Sequence, residues 1–231
     1  MLTPEVCKFD PARDGFGFHN PNGLIPNRTG GGKILRPFDP LVYGKGLCFG
    51  MAAAALLSFT GRAAGILRPP LAELPLTPEL LTVLRKHHLR QFRPRAVLAT
   101  LWDWVASGGG RPERVLERVR LAGTGPSPHV LCFGPALNRR FLSCFGLAHA
   151  VVPYQIEEGR VYVYDRNHPG DRERFVTFWR DGKRVEFAYG EFRSREGWGI
   201  TLVRDFSGNR EGPAPCVALN CLGCGRTSRY L

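Results

Sequence analysis

No apolar run in the 231 residues is long enough to span a bilayer. The opening Met1-Leu2-Thr3-Pro4-Glu5 lacks the basic start and apolar stretch of a secretory signal. The expectation is a cytoplasmic protein with no membrane partner. Lysine is scarce, with five residues against 27 arginines, and the net charge is +12. Such a charge invites an anionic partner. Yet no block of five or more basic residues occurs, nor any aromatic–basic signature, so the pattern argues against nucleic acid. Seven cysteines fall short of disulfide-scaffold density, and an odd count without an export signal points to reduced thiols. There are no internal repeats. Gly30-Gly31-Gly32-Lys33 lacks the preceding strand, the spacing and the Ser/Thr of a phosphate loop, and reads as a flexible turn. No cofactor is expected.

What is present centres on Lys45-Gly46-Leu47-Cys48-Phe49-Gly50-Met51, which runs into Ala52 to Phe59. The alanines and leucines are strong helix formers, and Gly61 is a natural stop. Cys48 should therefore sit in the first turn of a helix apolar on most of its surface. Unpaired N–H groups and the positive dipole end favour a thiolate there, which suits a nucleophile. A small buried hydrophobe is the plain alternative.

Residues 1–45, rich in Gly, Pro and Asn with Phe9, Phe16, Phe18 and Phe38 among them, read as an irregular arm pinned by aromatics. Residues 46–125 read as a helical half. After the Cys48 helix and a proline-rich connector, Thr77-Pro78-Glu79 gives an N-cap, an N1 proline and an early acid for a helix to about Gln91. Arg93-Pro94 begins another, to Ser107, and Arg111-Pro112-Glu113 opens one to about Leu121. His87 and His88 have no second ligand pair at helical spacing and read as surface histidines. Residues 126–210 read as a β half with strands at 129–133, 143–156, 160–165, 173–180, 183–189 and 198–206. Glu157-Glu158-Gly159 and Asp181-Gly182 supply turns. Helices followed by antiparallel strands make an α+β layout. The tail, 211–231, carries Cys216, Cys221 and Cys224; Cys7 is the obvious fourth partner, but spacing does not establish contact and no obligatory metal is expected.

A cysteine nucleophile needs a base, and the base an orienting group. His149 stands in an apolar strand, where its ring needs partners on both nitrogens. The return strand, Val161-Tyr162-Val163-Tyr164-Asp165-Arg166-Asn167, brings a partner. A hairpin centred on Glu157 sets His149 opposite Asp165; one centred on Glu158 sets it opposite Asn167. Both residues have the right parity.

The chain resembles the papain-like cysteine peptidases, and most of all the bacterial double-glycine-peptidase-like members, uncharacterised cytoplasmic ones included. Four stretches carry the likeness: Phe9-Asp10-Pro11 with Gly15 to Asn20; Gly46 to Met51; His149 to Tyr154; and Tyr164 to Asp171. The resemblance implies a papain-like domain over 1–210, with the Cys helix packed on the β half. It implies Cys48 as nucleophile, His149 as base and Asp165 as orienting residue, with Asn167 the alternative. It implies a peptide or a small amide or ester as substrate. The chain departs from the family where a Gln about six residues before the cysteine donates to the oxyanion: that position is Val42. The Cys48 backbone N–H, with Tyr43 or Lys45, is the replacement. The sequence thus leaves two functions open, a cysteine hydrolase or acyltransferase and a papain-like fold that binds without turnover.

Overall fold

The computed structural model describes residues 8–21, 46–63, 65–94, 97–98, 111–122, 129–135 and 148–204. Among the described residues, four α-helices come first: α1 Pro11–Asp14, α2 Cys48–Phe59, α3 Pro78–His88 and α4 Pro112–Ala122. Seven strands follow: β1 His129–Pro135, β2 His149–Glu157, β3 Arg160–Tyr164, β4 Phe175–Asp181, β5 Arg184–Tyr189, β6 Phe192–Arg193 and β7 Trp198–Arg204. They form one antiparallel sheet in the order β6-β5-β4-β3-β2-β1-β7. The sheet nearly closes on itself, and Phe192 of β6 meets Trp198 of β7 edge-on at 4.9 Å between ring centroids. The chain is therefore α+β, helical first and antiparallel second.

Alternation along the strands divides the core in two. Val130, Ala150, Val152 and Val203 point to the helical half, where they join Phe49 and Met51 of α2 and Leu80 and Leu84 of α3. Leu131, Phe133, Val151, Val161, Val163 and Val176 point to the other face, which α4 covers with Val115 and Val119. A two-residue period on β1 and β2 thus places one set against helix α2 and its alternate inside the curved sheet.

Helix α2 is buried from Phe49 to Ser58, as its apolar composition requires. It packs against α3 through Gly50. A Cβ there would lie 2.2 Å from the Leu84 carbonyl oxygen and 3.0 Å from the Cβ of His88. Backbone on one side and a helix on the other leave little room to yield. Gly50→Ala should therefore lower stability by about 1–3 kcal/mol, read from urea unfolding; an unchanged midpoint would show that the helices separate freely.

Several expectations need correction. His87 and His88 are not surface residues: they are 8% and 3% exposed. They follow Leu80 and Leu84 at helical spacing, so they share the inner stripe of α3. That helix starts as expected, with Thr77 Oγ1 accepting from the Leu80 N–H at 3.2 Å, but its α form ends at His88 and a tighter 3₁₀ turn continues over Leu89–Phe92. The arm is not wholly irregular, because Asp10 caps the short α1, its side chain accepting from the Ala12 N–H. The sequence reading lacked the two-residue strand β6. Most of the expected 93–107 helix, together with Tyr43, Lys45, Cys7, Cys216, Cys221 and Cys224, lies outside the described residues. No described helix is long and apolar enough to cross a membrane.

Candidate active site

Cys48 is the first residue of α2, and its chain is steered in by Gly46, whose φ of 100° suits glycine alone. Asn20 secures that entry: its Oδ1 accepts from the Leu47 N–H at 2.8 Å. The Cys48 thiol is half-buried and lies 3.9 Å from the carbonyl oxygen of Ala148, the residue just before His149. The helix start and the start of β2 therefore meet.

The β2–β3 hairpin turns on Glu158 and Gly159, whose φ values of 39° and 84° suit a primed two-residue turn. Glu157 pairs with Arg160, Ile156 with Val161 and Gln155 with Tyr162; then the register slips by one, and Pro153 pairs with Val163 and Val152 with Tyr164. The extra residue is Tyr154, a bulge that the sequence reading did not foresee. Continued, this register sets Val151 across from Asp165, and the carboxylate reaches diagonally to His149. His149 Nε2 lies 3.0 Å from Asp165 Oδ2. Asn167 makes no such contact through its side chain; its backbone N–H donates to Asp165 Oδ1 at 2.8 Å. Asp165 is thus the partner on the imidazole.

The structure does not join Cys48 to His149 by a hydrogen bond. His149 shares the parity of Val151, and its ring stacks near-parallel with Phe192, Tyr189 and Phe133, centroids 5.6, 6.1 and 6.4 Å away. Its second nitrogen, Nδ1, faces Arg166 Nη2 at 3.1 Å. Arg166 is 2% exposed, and its Nη1 donates to the Ala150 carbonyl at 2.7 Å. The Tyr189 hydroxyl donates to Asp165 Oδ2. The sequence reading lacked Arg166, Tyr189 and Asn20 as site residues. Neither Arg166, one residue beyond Asp165 past the end of the strand run, nor Tyr189 carried a signal of its role.

Burial alone would push the Asp165 carboxyl up, but the His149 hydrogen bond, the Arg166 charge and the Tyr189 hydroxyl outweigh it and hold it well below the usual carboxylate range. For His149, burial and then Arg166 lower the pKa, and the opposing pull of Asp165 does not restore it. The buried unit is therefore an ionised carboxylate beside a neutral imidazole, with Arg166 supplying the cation. Burial, then the Asp165 charge, pushes the Tyr189 hydroxyl up, so it stays a donor. Cys132, opposite Ala150 on the helix-facing side, is a second free thiol near the site. Burial first, and neighbouring Cys48 second, push it up, so it remains a thiol.

The N-terminal segment ties both sides together. The Phe16 N–H donates to the Tyr164 hydroxyl at 2.9 Å, and His19 Nδ1 donates to the Asn167 carbonyl at 3.1 Å. Asp10 holds Arg172 through two bonds of 2.8 and 2.7 Å, and the Phe9 ring packs among Phe59, Tyr154 and Tyr164. No group of His, Cys, Asp and Glu fit to hold a metal ion occurs among the described residues. Comparison of the chain with models of known families, with curated proteins and with solved structures gives no match.

Proposed function

We propose that the protein is a papain-like cysteine hydrolase or acyltransferase acting on a peptide or a small amide or ester. One observation carries the reading: a thiol on the first residue of a buried helix lies 3.9 Å from the carbonyl that precedes a buried His149–Asp165 pair. In this reading Nδ1, the nitrogen turned away from Asp165, takes the Cys48 proton. The sulfur attacks the carbonyl carbon, and the imidazolium returns the proton to the leaving group. Water then cleaves the thioester. Asp165 steadies the imidazolium, and the Cys48 backbone N–H supports the oxyanion.

A second reading, a papain-like fold that binds without turnover, is favoured by a different observation. Nδ1 is already paired with Arg166, and the ring lies among aromatics rather than against sulfur. A nitrophenyl ester and a set of peptide anilides distinguish the two, together with iodoacetamide labelling near pH 7. Acyl transfer should give a burst of chromophore and labelling of Cys48 ahead of the other cysteines. No release, with Cys48 labelled no faster than an ordinary thiol, would leave only the binding fold.

A further inference from the structure

Arg166 is nearly fully buried, sits next in sequence to Asp165, and touches the one nitrogen that catalysis would require. We propose that Arg166 is a positioning residue: it fixes which nitrogen of His149 carries the proton, and it withholds the imidazole from Cys48 as long as its guanidinium sits on Nδ1.

The assignment follows from donor chemistry. A guanidinium carries five N–H donors, accepts nothing and keeps its proton. Across the 3.1 Å contact Nδ1 must therefore be the acceptor, so it carries no hydrogen. The ring proton is on Nε2, directed at Asp165 Oδ2 at 3.0 Å. Asp165 is then an acceptor on every side, taking the Nε2 proton, the Tyr189 hydroxyl and the Asn167 N–H. The Nδ1 lone pair, the one a general base would use, is occupied.

Among the described residues, the groups facing His149 are few. Asp165 and Arg166 come from the end of β3, Tyr189 from β5 and Glu191 from the turn after it. Strands β1 and β6 offer only the rings of Phe133 and Phe192. Arg166 is the sole cation in that set, which is why burial and the guanidinium together keep the imidazole neutral. Its hold is incomplete, since its Nε is buried without a hydrogen-bond partner among the described residues. A fully satisfied guanidinium would be harder to dislodge.

The inference rests on the acyl-transfer reading only in naming His149 the base; the tautomer it assigns is readable without turnover. The test is nitrogen-15 NMR of histidine-labelled full-length protein, with His149 assigned by its replacement. In the wild type, His149 should stay neutral with its proton on Nε2 from about pH 8 to pH 5, the window in which ordinary histidines titrate. In Arg166→Met, with the carboxylates of Asp165 and Glu191 left as the neighbouring charges among the described residues, His149 should begin to titrate in that window. Alkylation of Cys48 should then acquire an inflection at the same pH. A wild-type His149 protonated on Nδ1, or titrating like a surface histidine, overturns the proposal, and needs no variant to fold. So does a variant in which His149 titrates as before. The expected tautomer in a protein that turns nothing over would support Arg166 in this role while removing the hydrolase.

Discussion

Cys48→Ala should eliminate ester and amide turnover and leave the fold intact. Where a nucleophile of this kind is removed from a triad, the loss in kcat is about 10⁶-fold, and the same order is expected here. The structural consequence should be slight. Only the first residue of α2 changes, alanine is a better helix former than cysteine, and among the described residues the thiol's one polar contact is the long 3.9 Å approach to the Ala148 carbonyl. The melting temperature should stay within about 2 °C, since a change below about 0.5 kcal/mol shifts a domain of this size by little more. Turnover that survives the substitution would place the chemistry elsewhere. A large fall in melting temperature would show that Cys48 is a packing residue first.

Asp165→Ala should have the larger effect on stability. It removes the acceptor for His149 Nε2, the Tyr189 hydroxyl and the Asn167 N–H together, and it takes away a carboxylate whose charge a buried arginine stabilises. Breaking a buried charge pair on one side costs about 3–5 kcal/mol, and urea unfolding should register a loss of that order. The pH dependence has one sign for both partners. The Asp165 pKa is held down in the folded state, so its contribution is present above the unfolded carboxylate value near 3.9 and is lost as pH falls below it. His149 is also held down, so the unfolded chain takes up its proton first, and stability begins to fall once pH drops below the unfolded value of about 6.5. Wild-type stability should therefore decline steadily from about pH 6.5 into acid, and Asp165→Ala should remove the steepest part below about pH 4. A wild-type profile flat down to about pH 3 would mean that neither group is perturbed.

The elements were legible where local chemistry is decisive. Thr77-Pro78-Glu79 starts a helix because each residue satisfies a different need of a helix N-terminus, and the structure begins α3 there. The Ala52 to Phe59 run could hardly be anything but a buried helix. The His149–Asp165 contact was legible from parity alone, although beyond the bulge the strands follow the Glu158-centred register, in which His149 lies across from Asn167, and not the one that set it opposite Asp165. The Tyr154 bulge moved every later pair by one, and Asp165 reached His149 diagonally rather than head-on. The lack of a second ligand pair argues only against a metal at His87 and His88; their spacing from Leu80 and Leu84 is what buries them. Arg166 was hidden for a deeper reason. Parity describes which way a side chain leaves the strand, but a long guanidinium can fold back to the Ala150 carbonyl and the His149 ring together, and only coordinates show that.

The stretch Phe9 to Asn20 has a consequence for the order of assembly. Its partners lie far along the chain: Tyr164 for Phe16, Asn167 for His19 and Arg172 for Asp10, separations of 148 and 162 residues. During synthesis this stretch emerges early and waits. At ribosomal rates of about 5–20 residues per second, the wait is roughly ten to thirty seconds. Until the β2–β3 hairpin and its following loop emerge, Phe9 has no Tyr154 or Tyr164 to pack against. Such long-range closure slows folding relative to local pairing. The helical half cannot finish ahead of the sheet, so a nascent chain halted before Tyr154 should expose the Phe9 ring that later binds the two halves together.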